Sequence, residues 1–274
     1  MGQLAQLEHL QLDRNTHLSG TIPTELYSLS NLTRFELWGT NVTGSLSPLL
    51  GQWTQLTYLA LGNPIHHLGP NDYGHFTGTI PTTIGRLSAL QSLILNRNQF
   101  PGTLPVQIGQ LPSIVEIELV DNQFRGSIPD EFFRNNLPWL ANNLKDLLLQ
   151  DNALTNTVPA EIWSLSSLQF LNLTNNKLVG QIPGTEIGRF TELLNLDLAN
   201  NLFQGSIPLD ESGLGNCTSL MRLELSGNNF SGVISSQIGL LSRLDRLNLG
   251  HNALLSGTIP SEISGCAWYV RLLY

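Results

Sequence analysis

The motif Leu7-x-x-Leu10-x-Leu12-x-x-Asn15 returns along the whole chain. Its leading apolar residue falls at Leu7, Leu32, Leu56, Leu90, Ile114, Leu144, Leu168, Leu193, Leu220 and Leu244, at spacings of 25, 24, 34, 24, 30, 24, 25, 27 and 24. A fixed period of this length is the mark of stacked like units, and it leaves few architectures open. In each unit the Leu-x-Leu alternation is that of a half-buried strand, with Leu10 and Leu12 inward and Gln11 outward. One such strand cannot cover its own apolar face, whereas a stack of them shares one core. The period therefore predicts an α/β solenoid: a curved right-handed superhelix, with a parallel sheet on the concave face. Short extended, 3-10 or helical segments are expected on the convex face. Residues 1–274 read as a single domain of ten repeats, with partial repeats at both ends.

An asparagine closes each strand, at Asn15, Asn98, Asn122, Asn152, Asn176, Asn201, Asn228 and Asn252; Thr40 and Pro64 stand in its place in the second and third repeats. A side-chain amide offers both a donor and an acceptor, so it can satisfy backbone groups where the chain turns inside the stack. A structural ladder is expected from these eight residues. The second half-repeat carries Gly20, Gly44, Gly78, Gly102, Gly126, Gly180, Gly205, Gly232 and Gly257, with Asn156 as the exception. Both residue types tolerate positive φ and predict a tight turn. An apolar-Pro pair follows in most repeats; Leu46-Ser47 and Ile234-Ser235 lack the proline. Proline has no N–H for a ladder, so a short extended piece and then a turn of helix are expected.

The half-repeat Leu18-Ser19-Gly20-Thr21-Ile22-Pro23 and its successors resemble the plant-specific class of leucine-rich repeats. That class occurs in receptor-like kinase and receptor-like protein ectodomains and in polygalacturonase-inhibiting proteins. Diatoms and other protists carry similar repeats. The resemblance covers essentially the whole chain. It implies a leucine-rich-repeat solenoid acting as a non-catalytic recognition module for a protein or peptide, as part of a cell-surface receptor-like protein. An intracellular scaffold and an inhibitor of a secreted enzyme are the alternatives. The implied location is the extracellular face of the plasma membrane or the secreted space, with the cytoplasm second.

The outward strand positions define the candidate ligand face. Trp38, Tyr58, Ile94, Val120, Leu148 and Phe170 are expected to form an exposed apolar strip, with Glu116, Glu118 and Asp146 beside it. Apolar anchors next to carboxylates suit a ligand with apolar side chains and some positive charge. Glu116 and Glu118 lie about 6.8 Å apart along one strand face, near the separation of an inverting glycosidase pair. An open sheet gives neither residue a pocket, so no catalysis is expected.

Charged residues are only 12% of the chain, the net charge is −8, and Lys145 and Lys177 are its two lysines. No basic cluster exists for nucleic acid or for an anionic membrane surface. No apolar run is long enough to span a bilayer, and no secretory pattern opens the chain. No cofactor is expected. Sequons occur at Asn31, Asn41, Asn216 and Asn229, and at Asn172 on the candidate face. Their number is near chance and does not by itself indicate secretion. Cys217 and Cys266 fall about two rungs apart, beyond disulfide reach, and read as buried thiols.

Two insertions break the period. Residues 64–75 hold His66, His67, Asp72, Tyr73 and His75; the spacing fits no zinc signature, so an ordered loop is expected and no metal. Residues 130–143 hold Phe132, Phe133, Leu137, Trp139 and Leu140, and a helix packing its aromatics on the core is expected. The chain starts inside one repeat, at Gly2-Gln3-Leu4, and stops inside another, at Tyr269-x-x-Leu272-x-Tyr274. The paired cysteines that cap members of the resembling family are missing, and a fragment of a longer protein is expected.

Overall fold

The Leu-x-Leu alternation becomes a three-residue strand in every repeat. The computed structural model describes residues 4–64, 74–134 and 136–265. They form two compact units, Met1–Arg125 with Glu131–Leu140, and Gly126–Asp130 with Ala141–Tyr274.

In the first unit a front ladder of parallel strands runs His9–Gln11, Arg34–Glu36, Tyr58–Ala60, Ser92–Ile94 and Glu116–Glu118. The register never slips: His9 stands opposite Arg34, Arg34 opposite Tyr58, Tyr58 opposite Ser92 and Ser92 opposite Glu116. The middle residues Phe35, Leu59, Leu93 and Ile117 point into the core and are fully buried. In the second unit the front ladder is Asp146–Leu148, Phe170–Asn172, Asn195–Asp197, Arg222–Glu224 and Arg246–Asn248, again in step. Slipping any strand by one residue would turn its leucines outward, which is why the register is fixed.

Each coil also carries a second strand, and these pair into back ladders. In the first unit Ser19–Thr21, Asn41–Ser45 and His75–Thr77 are parallel neighbours. In the second, Ala153–Thr157, Lys177–Gly180, Leu202–Gly205, Asn229–Val233 and Leu254–Ser256 follow in order. The sequence predicts a short extended piece here, and the structure pairs these pieces from coil to coil. The pairing residues lie just ahead of the prolines, so their N–H groups remain available. Beyond them Pro23, Pro81 and Pro105 hold extended φ values of −63°, −68° and −72° and lead into 3-10 turns. Where proline is absent, Ser47 and Ser235 take the same extended conformation, and their side chains accept from Leu49 N and Gln237 N. A serine cap replaces the ring.

The asparagines stitch successive coils together. Asn201 Oδ1 accepts from Leu178 N in the preceding coil, while Nδ2 donates to Leu173 O, Leu198 O and Ala199 O. Asn98, Asn122, Asn176, Asn228 and Asn252 repeat the pattern. Asn152 donates to Leu149 O and Gln150 O, and exposed Asn15 makes only two local bonds. Thr40 substitutes by donating to Leu37 O and accepting from Val42 N. The expected turn glycines all have positive φ, as does Asn156 at 66°.

The residues 130–143 form two short helices rather than one, Glu131–Arg134 and Leu137–Asn143, with Phe132, Phe133 and Leu140 buried. Trp139 is half outside, its Nε1 donating to Ile114 O. Cys217 is a buried free thiol whose Sγ donates to Ile187 O; burial pushes it up to about 12, which leaves it unreactive at neutral pH. Cys266 and the inserted residues 65–73, with His66, His67, Asp72 and Tyr73, lie outside the described residues.

Candidate functional site

The outer faces of the two front ladders carry the candidate residues, but they do not form the exposed strip that alternation suggests. In the first unit Trp38 is 5% exposed, Ile94 1%, Val120 5% and Glu118 1%. In the second, Leu148 is 6% exposed. Trp38, Ala60 and Ile94 make a small core of their own on the outer face, with Tyr58 packed against it. The expectation of solvent exposure is therefore corrected for Trp38, Ile94, Val120, Leu148 and Glu118. Strands about 4.8 Å apart leave each side chain flanked on both sides, so a row of large residues closes over itself.

Two arginines complete the cover. The Arg34 guanidinium lies 3.8 Å from the Tyr58 ring centre, and Arg14 lies 4.8 Å from that of Trp38. Beneath them Glu36 accepts hydrogen bonds from Arg34 Nε, Gln11 Nε2 and Trp38 Nε1. Burial works to raise the Glu36 carboxyl, but those three donors prevail and hold it below the usual carboxylate value. Burial, with the charges of Glu36, Glu116 and Glu118, pushes the Tyr58 hydroxyl up to about 12, so it stays a neutral donor. Glu118 accepts from Asn96 Nδ2, and Asn96 Oδ1 in turn accepts from Val120 N. Glu118 is thus sealed in the sheet, while Glu116 remains half-exposed.

In the second unit Asp146 stands opposite Phe170, and both are half-exposed. Further along the strands Thr174 Oγ1 donates to Asp197 Oδ1. Arg222 Nη2 lies 3.5 Å from Asp197 Oδ2, and its Nε lies 3.4 Å from Glu224 Oε1. The accessible candidates are thus Tyr58 and Glu116 in one unit and Asp146 and Phe170 in the other. The covering role of Arg14 left no trace in the repeat spacing.

Of the sequons, Asn41, Asn216 and Asn229 are exposed and Asn31 is half-buried. Asn31 Nδ2 donates to Ala5 O, Asn41 Nδ2 to Thr16 O and Asn216 Nδ2 to Gly188 O. Asn172 faces the candidate surface, with its Oδ1 accepting from Thr174 N. Among the described residues no group of His, Cys, Asp or Glu is placed to hold a metal ion. None of their helices is long and apolar enough to cross a membrane.

Against known proteins, the family model Leucine Rich Repeat matches residues 167–186, 219–241 and 243–266. Receptor-like protein 39 of Arabidopsis thaliana is 30% identical over 271 residues, covering 90% of this chain and 26% of the relative. The chain spans about a quarter or less of the first curated relatives it matches. Among solved structures, a plant ice-binding protein superposes with a TM-score of 0.74 at 24% identity, over 92% of this chain and 74% of that one. This last likeness is one of fold. The plant peptide hormone receptor RGFR1, in complex with RGF2, superposes with a TM-score of 0.61 at 27% identity, over 96% of this chain and 46% of that one.

Proposed function

We propose, from the premise that this chain is a leucine-rich-repeat protein of the plant type, that it is a non-catalytic recognition module of a receptor-like protein. The front ladder is its ligand face, and a protein or peptide is its ligand. One observation carries the reading: each unit leaves an aromatic ring half-exposed among carboxylates, Tyr58 near Glu116 and Phe170 opposite Asp146. Rings held by a hydrogen-bonded ladder lose little freedom on binding, which favours them as anchors. The receptor-like relatives and the peptide-hormone receptor of like fold support the same reading, and with it an extracellular or membrane-associated setting.

The test is a random peptide library selected on the folded protein, with Tyr58→Ala and Phe170→Ala as probes. At least one change is expected to weaken the selected peptides by more than about 1 kcal/mol, roughly five-fold in Kd, in variants whose circular dichroism shows the fold intact. Peptides that bind both variants as tightly as the parent would remove the front face from consideration.

A second reading is favoured by a different face. On the back ladder of the first unit Ser19, Thr21, Thr43, Ser45 and Thr77 are all exposed. Thr21 stands opposite Thr43, and Ser45 opposite Thr77. Such hydroxyls repeat at about 4.8 Å between strands and about 6.7 Å along them, the scale of an ordered water lattice. On this reading the back ladder binds ice. The protein is then expected to open a gap between the melting and freezing points of ice, and Thr43→Tyr to abolish it. Unmodified ice growth in the presence of the parent protein would dismiss this reading.

A further inference from the structure

We infer that Gln150 is a specificity-determining residue of the second unit's front face, reserved for a hydrogen-bond donor on a basic ligand segment. The inference rests on the front-face reading above and deepens it.

Gln150 sits two residues beyond Leu148, on the same outward face, and is 6% exposed. Its Oε1 is sealed and has no hydrogen-bond donor. The same row in other coils is satisfied. Trp38 Nε1 donates to Glu36. Asn96 donates to Asn63 O and Glu118 and accepts from Val120 N. Thr174 Oγ1 donates to Asp197, and Ser226 Oγ accepts from Asn248 Nδ2. Thr174 is the neighbour of Gln150 in the next coil, and its hydroxyl proton is already committed to Asp197. A buried acceptor without a donor costs stability, and an apolar side chain of the same length would fill the space without that cost. The amide is therefore better explained by something it meets outside the folded chain.

The surroundings set the chemistry of that partner. Asp151 follows directly, exposed, and Asp146 lies on the same strand face. Asp197, in the second strand over, is already engaged by Arg222 Nη2 at 3.5 Å and by Thr174, which leaves Asp146 and Asp151 as the carboxylates nearest in sequence. A donor arriving here meets carboxylates, which suits a lysine ammonium or an arginine guanidinium. The terminal amide torsion of glutamine is broad, so Oε1 can turn toward an arriving donor without moving the backbone.

The experiment selects a random peptide library on the parent protein and measures the recovered peptides on Gln150→Met and Phe170→Ala. Lysine- or arginine-containing peptides are expected, losing about ten-fold or more in affinity on Gln150→Met. The melting temperature of that variant is expected to be no lower than the parent's. Undiminished binding to Gln150→Met, with Phe170→Ala weakened, overturns this assignment and leaves the front-face reading intact. Indifference to both changes overturns the two together. A clear drop in the melting temperature of Gln150→Met means that the amide has a structural partner, and also overturns the assignment.

Discussion

Replacing Gly109 with alanine is expected to destabilise the first unit by about 3–5 kcal/mol, the range for stripping large aromatics from a core. Gly109 lies in the turn Val106–Gln110, directly under the helix Glu131–Arg134. A Cβ on it would fall 1.4 Å from Phe132 O and 2.4 Å from the same carbonyl carbon. Those atoms are backbone, so no rotamer change relieves the clash. The helix must lift, drawing Phe132 and Phe133 out of the site where both are essentially fully buried. Urea unfolding followed by fluorescence reads the effect. Gly184→Ala is the control, since its added Cβ would meet nothing closer than 4.0 Å. Equal unfolding midpoints for the two variants would show that the close approach carries no weight.

Asn201→Ala is expected to cost about 2 kcal/mol, because it leaves the buried N–H of Leu178 without a partner, while the carbonyls it serves keep other donors: Asn176 on Leu173 O, Asn228 on Leu198 O and the Asn175 amide on Ala199 O. Asn15→Ala, at an exposed position with two local bonds, is expected to cost about 1 kcal/mol or less. In a stack, stability sums over coils and the interfaces between them. The loss at Asn201 therefore also weakens the hold of the coil before it. Hydrogen exchange localises this: the Leu178 amide is expected to lose protection first. Similar losses at Asn15 and Asn201 would refute the stitching role.

The repeat, the asparagine ladder and the positive-φ turn at Gly20 and its counterparts were legible because each is a periodic local signal. Even the exception was readable: Asn156 adopts the left-handed conformation that only a few residue types tolerate. Less of the candidate face was legible. Alternation says which side of a strand Trp38, Ile94, Val120 and Leu148 occupy. It does not say whether neighbouring strands then close over them. The covering rings and guanidiniums, Arg34 on Tyr58 and Arg14 on Trp38, join residues about a repeat apart, and no spacing rule records them.

The residue ahead of the ladder asparagine makes the same division. Arg14, Arg97, Asp121, Asp151, Asn175, Asn200 and His251 all have positive φ there. Asparagine and aspartate hint at such a conformation; arginine and histidine do not. The following asparagine bonds the carbonyls two and three residues back, at Asn15 as at Asn201, and the conformation goes with that turn rather than with the side chain that adopts it. By itself, then, the sequence determined the coil: which side chains face inward, where each strand ends and where the chain turns. Tertiary structure alone decided which outward side chains remain accessible, because access depends on the coils to either side.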